Sequence, residues 1–182
     1  MTNTLKKWKK LSSKQVFTHP RHNVFIDQIE LPNGISTDYI HFGKSYDSAM
    51  IISTNNDGRI LLQKEYCYPV DDFLYQFPGG LINDNESPQQ AAKRELMEEA
   101  KITGDFKQIG WMYVNNRRTS NKMFFFVATN LESSPLESDL EENFEDYWLS
   151  EEDIEQMIHK NEICNYTALA GWSFYKAYKN SN

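Results

Sequence analysis

The sequence predicts an α/β layer fold, a mixed β-sheet sandwiched between helices, with an antiparallel β extension at its N-terminal end. Three observations predict it: β-rich segments dominate the chain, one well-capped helix lies among them near residues 87 to 100, and two helical segments follow the last strand. A doubly wound fold would alternate strand and helix throughout, and this chain does not.

Taken in order, "NVFIDQIELPNGISTDYIHFG" holds two alternating apolar segments around Pro32-Asn33-Gly34, where Asn-Gly supplies the positive φ of a tight hairpin turn. Residues 1–45 are therefore expected to form the N-terminal β extension, and residues 46–182 the main domain. "SAMIIST" and "RILLQKEYCY" flank Asn55-Asn56-Asp57-Gly58, which reads as a second hairpin between two core strands. "FLYQFPGG" reads as a short strand stopping at Pro78-Gly79-Gly80. Ser87-Pro88-Gln89-Gln90 starts a helix: Ser87 caps, Pro88 suits the first helical position, and Gln90 closes a capping box. "QIGWMYV" and "NKMFFFVATNL" are two further strands, joined by residues 115–120. After the acidic stretch "ESSPLESDLEENFED", "YWLS" is a last strand. "SEEDIEQMIHKNE" and "NYTALAGWSFYKAYKN" are the closing helices.

With 182 residues, 40% of them hydrophobic, the chain can bury a real core, and with a net charge of −7 it is ill suited to coating nucleic acid, which needs excess Lys and Arg. Cys67 and Cys164 are the only cysteines, too few for a disulfide framework or a Cys-rich zinc site. No stretch approaches the roughly 18 apolar residues of a spanning helix, and no apolar core follows the basic N-terminus. The expectation is a soluble cytoplasmic protein with no nucleic-acid and no membrane partner.

The segment "GGLINDNESPQQAAKRELMEEAKI" concentrates Glu95, Glu98 and Glu99 within one turn of the central helix, on an arc of roughly 100°. Ala92, Leu96 and Ala100 form the adjacent stripe, which puts the acids at the rim of the buried face. Two readings fit. One is a solvated acidic helix with an Arg94 to Glu98 ion pair. The other is a site for a hard divalent cation such as Mg²⁺, which prefers carboxylate oxygens shared with substrate phosphate and water. Gly79-Gly80 would let a backbone carbonyl join such a site.

From Gly80 onward the pattern is Gly, five residues, Glu86, seven residues, Arg94-Glu95-Leu96-Met97-Glu98-Glu99, two residues and Ile102. It resembles the Nudix box, the signature of hydrolases that cleave a nucleoside diphosphate linked to another moiety. Lys101 stands where the family has glycine. The resemblance implies the Nudix fold and Mg²⁺, with Mn²⁺ as a substitute. It implies Glu95 and Glu99 as principal metal ligands, Glu98 assisting, the Gly79 carbonyl completing the set, and Arg94 orienting the acids. Glu86 would hold the loop or meet a metal through water.

"LLQKEYCYPVDDFLYQFPGGLI" and the N-terminal hairpin are similar to the ADP-ribose pyrophosphatase and nucleoside diphosphate sugar hydrolase branch, whose members are commonly homodimers in which the extension helps build the partner's nucleoside pocket. In that branch the catalytic base lies on a loop just before a late strand. Counting back from "YWLS" gives Glu142, with Glu141 its rival. Cys67 stands where many relatives have arginine, and the loop "NNRRTSNKM" lacks their proline. Arg117 and Arg118 are candidate phosphate contacts, or else solvent-facing turn residues. Trp8, Tyr66 and Tyr68 are candidates for stacking on base or sugar, or else core aromatics of their strands, and Tyr68 joins the two arginines as the substrate-binding set. The implied reaction is hydrolysis of ADP-ribose or a nucleotide sugar to a nucleoside monophosphate and a sugar phosphate. The alternatives are a house-cleaning nucleoside triphosphate hydrolase and a non-catalytic sensing module.

Overall fold

In the computed structural model, which describes residues 5–20, 22–43, 46–134 and 144–181, the chain opens with a strand that its sequence barely advertises. This strand, β1 (Lys9–His19), is exposed along its whole length and carries Lys9, Lys10 and Lys14. It pairs antiparallel with β2 (His22–Glu30), with register shifts between Lys10 and Ser12 and between Gln15 and Phe17. Lysines and bulges on an outer strand discourage edge-to-edge association, which is why its apolar alternation is weak. β2 pairs on its other side with β3 (Ser36–Phe42), from Glu30↔Ser36 to Val24↔Phe42. The turn between them is the expected one: Gly34 has φ 83° and its N–H donates to the Leu31 carbonyl at 2.9 Å. This three-stranded sheet and the segment Tyr113–Asn121 make one compact unit; residues 46–112 and 122–182 make the second.

The second unit contains β4 (Ser48–Ser53), β5 (Ile60–Cys67), β6 (Asp72–Gln76), β7 (Gly79–Leu81), α1 (Pro88–Glu99), β8 (Ile102–Tyr113, whose last residue belongs to the first unit), β9 (Lys122–Ser133), β10 (Glu145–Leu149), α2 (Glu151–His159) and α3 (Tyr166–Lys179). It has two sheets, ordered β7-β4-β9-β8 and β10-β5-β6. β4 and β9 run parallel while β7 is antiparallel to β4, so the larger sheet is mixed. Alternate residues of β4, β5 and β9 enter two different cores. Ala49, Ile51, Leu61, Phe126 and Ala128 pack with Ala91, Ala92 and Leu96 of α1. Met50, Ile52, Ile60, Leu62, Phe125 and Val127 pack with Ile154 of α2 and Ala168, Trp172 and Tyr175 of α3. Strands buried on both faces read as continuous apolar runs, as "AMIIS" and "ILL" do. Among the described residues no helix is long and apolar enough to cross a membrane.

One expectation is corrected. Asn55 to Gly58 does form a tight turn, with the Asn55 carboxamide oxygen accepting from the N–H groups of Asp57 and Arg59, but it does not join a hairpin. β4 and β5 part after a single bridge, Thr54↔Ile60, and enter different sheets. A hairpin would give both strands the same pair of faces beside one another; here β5 takes β10 and β6 as its neighbours, and β4 takes β9 and β7.

The end of α1 explains the lysine at residue 101. Lys101 adopts φ 60°, the left-handed conformation that glycine enters without strain, and its Nζ donates to the Glu98 carbonyl at 2.8 Å, covering one of the helix's last acceptors. Backbone relief should outweigh that part-buried bond. Lys101→Gly is expected to stabilise the protein by about 0.5 kcal/mol, read as a higher urea midpoint at unchanged m-value; a lower midpoint would show that the capping bond dominates.

Candidate functional site

The site grows from the start of α1. Ser87 Oγ accepts from the Gln90 N–H at 3.3 Å, the Gln90 side chain accepts from the Ser87 N–H at 2.9 Å, and Pro88 sits in the first turn. Such a box contributes about 1 kcal/mol and fixes where the helix begins, hence which way each later residue points. Ala91, Ala92 and Leu96 then face the core, and Glu95 shares their side with only 6% exposure.

A buried carboxylate needs a partner, and Arg94 supplies it. Its Nη1 donates to Glu95 Oε1 at 2.9 Å and to Glu98 Oε2 at 2.8 Å. Its Nε and Nη2 donate to the two oxygens of Glu86 at 2.9 and 3.1 Å, and Nη2 also reaches the Leu81 carbonyl at 2.8 Å. The paired contacts to Glu86 use the planar fork of the guanidinium. That guanidinium holds the Glu86 carboxyl below its ordinary value, against the opposing effect of burial, and the Asn83 N–H assists. Reciprocally, hydrogen bonding to Glu86 first, then Glu98 and Glu95, raises Arg94 further above its already high range.

β7 brings its backbone against the same helix face. The Gly79 N–H donates to Glu99 Oε2 at 3.0 Å. Gly79 has φ 154°, and a Cβ there would lie 2.2 Å from the Ala49 carbonyl oxygen. A Cβ on Gly80 would fall 2.3 Å from Glu95 Oε1, so the missing side chain leaves room for that carboxylate. The structure thus gathers Gly79, Glu86, Arg94, Glu95, Glu98 and Glu99 in one place.

The carboxylates of Glu86, Glu95, Glu98 and Glu99 and the backbone carbonyl of Gly79 offer oxygens, the type a hard cation prefers. Among the described residues no group of three or more acidic, histidine or cysteine side chains is placed to hold a metal ion by itself. Arg94 draws on Glu95 and Glu98, and Gly79 on Glu99. Such a set fits Mg²⁺ in the way Mg²⁺ usually binds, through a few carboxylates with the remaining positions left to water and phosphate.

Arg117 and Arg118 belong to the first unit, where Arg118 Nη1 donates to the Ile40 carbonyl at 2.9 Å, its guanidinium lies 5.8 Å from the Tyr39 ring centre, and the Arg117 carbonyl accepts from the Tyr39 hydroxyl. Both line a cavity of about 320 Å³ with Tyr39, His41 and Phe42. Tyr68 is 82% exposed on the turn after β5. Glu141 and Glu142 lie outside the described residues. Glu86 proves more central than its sequence position suggests, as the principal partner of Arg94; the signal was its fixed spacing before the helix.

Residues 44–169 match the family model described as NUDIX domain. The ADP-ribose pyrophosphatase of Bacillus subtilis (strain 168) is 23% identical over 158 residues, 85% of this chain and 85% of that protein. The ADP compounds hydrolase NudE of Escherichia coli (strain K12) is 30% identical over 112 residues, 61% of this chain and 60% of that protein, so this match spans about three-fifths of the hydrolase. A solved structure described as a crystal structure of ADP compounds hydrolase superposes with a TM-score of 0.91 at 21% identity, over 99% of this chain and 98% of that one, a likeness of fold.

The Glu86–Arg94 contact gives a pH prediction. Because the folded-state pKa of Glu86 is depressed, its contribution to stability is full above its unfolded pKa and is lost as pH falls through the folded one. Glu86→Gln is expected to cost about 1–2 kcal/mol near neutral pH, with the difference from wild type shrinking steadily below about pH 4. Denaturant titrations of both proteins across that range check it; a pH-independent difference would assign the loss to packing instead.

Proposed function

We propose, from the premise that this chain belongs to the Nudix family and is a hydrolase of its ADP-ribose pyrophosphatase branch, that it hydrolyses the pyrophosphate bond of ADP-ribose or nucleoside diphosphate sugars with the help of Mg²⁺. The ADP-ribose pyrophosphatase and ADP compounds hydrolase among its relatives support pyrophosphate hydrolysis in general; the metal and the substrate class are the inference. The observation that supports it best is the gathering of Glu95, Glu98 and Glu99 around Arg94 and the glycine backbone of β7.

Glu95, Glu99 and the Gly79 carbonyl would hold the cation, with Glu98 assisting. When bound, Mg²⁺ supplies positive charge to the diphosphate and so lowers the barrier to attack by water, and Mn²⁺ has similar chemistry. Arg94 keeps the carboxylates at fixed orientation. Glu142 takes the proton from the attacking water, with Glu141 the alternative, because carboxylates engaged by a metal are poor bases. The water oxygen bonds to one phosphorus, the bridging P–O bond breaks, and a nucleoside monophosphate and a sugar phosphate leave. Arg117, Arg118 and Tyr68 contact the substrate. The protein works in the cytoplasm as a homodimer, with residues 1–45 as the extension that serves dimerisation and the substrate pocket. The exposed Trp8, Leu11, Val16 and Phe17 of that extension agree with a partner surface.

Monophosphate release should be Mg²⁺-dependent on a panel of ADP-ribose, GDP-mannose, UDP-glucose, diadenosine polyphosphates and nucleoside triphosphates, and greatest on the diphosphate-linked sugars. Cleavage confined to triphosphates would favour the house-cleaning reading, and cleavage of nothing a sensing module. Glu99→Gln is expected to lower kcat roughly 10²–10³-fold. Glu142→Gln should fall by roughly 10²-fold or more at saturating Mg²⁺, and near-complete retention of turnover would remove it as the base.

A further inference from the structure

β5 is an apolar run broken by one residue. Ile60, Leu61, Leu62 and Gln63 all have 0% exposure, and Gln63 is the polar one. Its Nε2 donates to Asp146 Oδ1 at 3.0 Å. Its Oε1 is buried and has no hydrogen-bond partner among the described residues. Turning the amide over would set Oε1 against the Asp146 carboxylate, so the orientation follows from the partner. A buried carbonyl left without a donor costs about 1–3 kcal/mol, which leucine at this position would avoid. Stability therefore does not account for Gln63.

A second amide does the same thing beside it. Gln63 stands opposite both Asp146 of β10 and Gln76 of β6, so all three side chains lie on one face of the sheet, with Glu65 two residues further along β5. Gln76 Nε2 donates to Glu65 Oε2. Two carboxylates are thus each tied by a glutamine amide. Their face is the one α1 covers, since Leu61, on the same side of β5, packs in the core with Ala92 and Leu96. Glu65 is half-buried and Asp146 exposed, so ligand atoms can reach both.

We infer that Asp146 and Glu65, positioned by Gln63 and Gln76, are specificity-determining acceptors that read neutral hydrogen-bond donors on the substrate. Two oriented carboxylates repel a diphosphate and attract adjacent O–H or N–H groups. The donors are either vicinal hydroxyls of the sugar or the amino edge of the base. Gln63 itself is fully buried, so it positions Asp146 rather than meeting the ligand. The inference rests on the hydrolase reading for the identity of the ligand, though not for the existence of the site.

The test uses the full-length protein and two variants, Asp146→Ala and Gln63→Leu. One substrate series keeps adenine and varies the sugar: ADP-ribose, ADP-glucose and ADP-mannose. The other keeps glucose and varies the base: ADP-, GDP- and UDP-glucose. In wild type, kcat/KM should spread widely along one series. Both variants should compress that spread at least roughly 10-fold, through KM, and leave the other series unchanged. The compressed series identifies sugar hydroxyls or base amino groups as the donor. Gln63→Leu should remain folded, with a urea midpoint equal to or above wild type, so the compression cannot be ascribed to unfolding. Spreads unchanged in both variants, or no spread in wild type, would overturn the inference and leave Gln63 as a water-satisfied structural residue. Calorimetric binding of the same compounds without added metal separates the two readings. Variant-sensitive binding without turnover would defeat the hydrolase reading alone, while turnover with variant-independent affinities, or no binding of any compound, would defeat this one.

Discussion

Arg94 is the constraint on which the rest of the site depends. Four carboxylates, Glu86, Glu95, Glu98 and Glu99, belong to one short stretch of chain, and one guanidinium hydrogen-bonds three of them together with the Leu81 carbonyl. Lysine would not replace it. An ammonium has no planar fork for Glu86 and cannot span acceptors that lie in different directions. Because Arg94 holds Glu95 and Glu98 by one oxygen each, the acids are brought together without being neutralised one by one. Assembly of like charges of this kind is costly for a folded chain, and the shared guanidinium offsets part of that cost.

That constraint explains the glycines of β7. α1 is docked on a strand only three residues long, Gly79 to Leu81, through the Arg94 bond to Leu81, the Gly79 bond to Glu99 and the contact of Gly80 with Glu95. Side chains at Gly79 and Gly80 would strike the Ala49 carbonyl and the Glu95 carboxylate respectively. β7 in turn is fixed to β4, from Ser48↔Leu81 to Met50↔Gly79. The acids are therefore held, through the side chains of Arg94 and Glu99, to a strand whose backbone pairs with the doubly buried β4 of the larger sheet.

What was legible in the sequence was local. The capped helix, the spacing of its acids, the Asn-Gly turn, the late strand and the two closing helices each depend on neighbours within a few residues, and each lies where that chemistry put it. What was not legible was non-local. Nothing near Asn55 says that β4 and β5 separate into different sheets, because both strands are apolar on both faces and periodicity then carries no pairing information. β1 was hidden for the opposite reason, since a wholly exposed outer strand needs no alternation. The association of Tyr113–Asn121 with the N-terminal sheet depends on contacts such as Phe42 N–H to the Arg118 carbonyl, between residues far apart in the chain. At the site, the family spacing identified the acids, but not that Glu86 and Glu98 meet on one guanidinium.

The two faces of the central strands have different duties. The face toward α2 and α3 is filled by Met50, Leu62, Phe125, Trp172 and their neighbours, a dry core that any well-fitted apolar set could supply. The face toward α1 begins as the same kind of core around Leu61 and Leu96, then turns polar at Gln63 and at Glu95, both almost wholly buried. Arg94 is the partner of the buried Glu95 carboxylate, whereas Gln63 is paired only in part: its Nε2 donates to Asp146 while its buried Oε1 has no hydrogen-bond partner among the described residues. One face can thus be read as the source of stability, and the other as the place where stability is given up for orientation. A chain under pressure only to fold would have continued the leucines of β5 through residue 63.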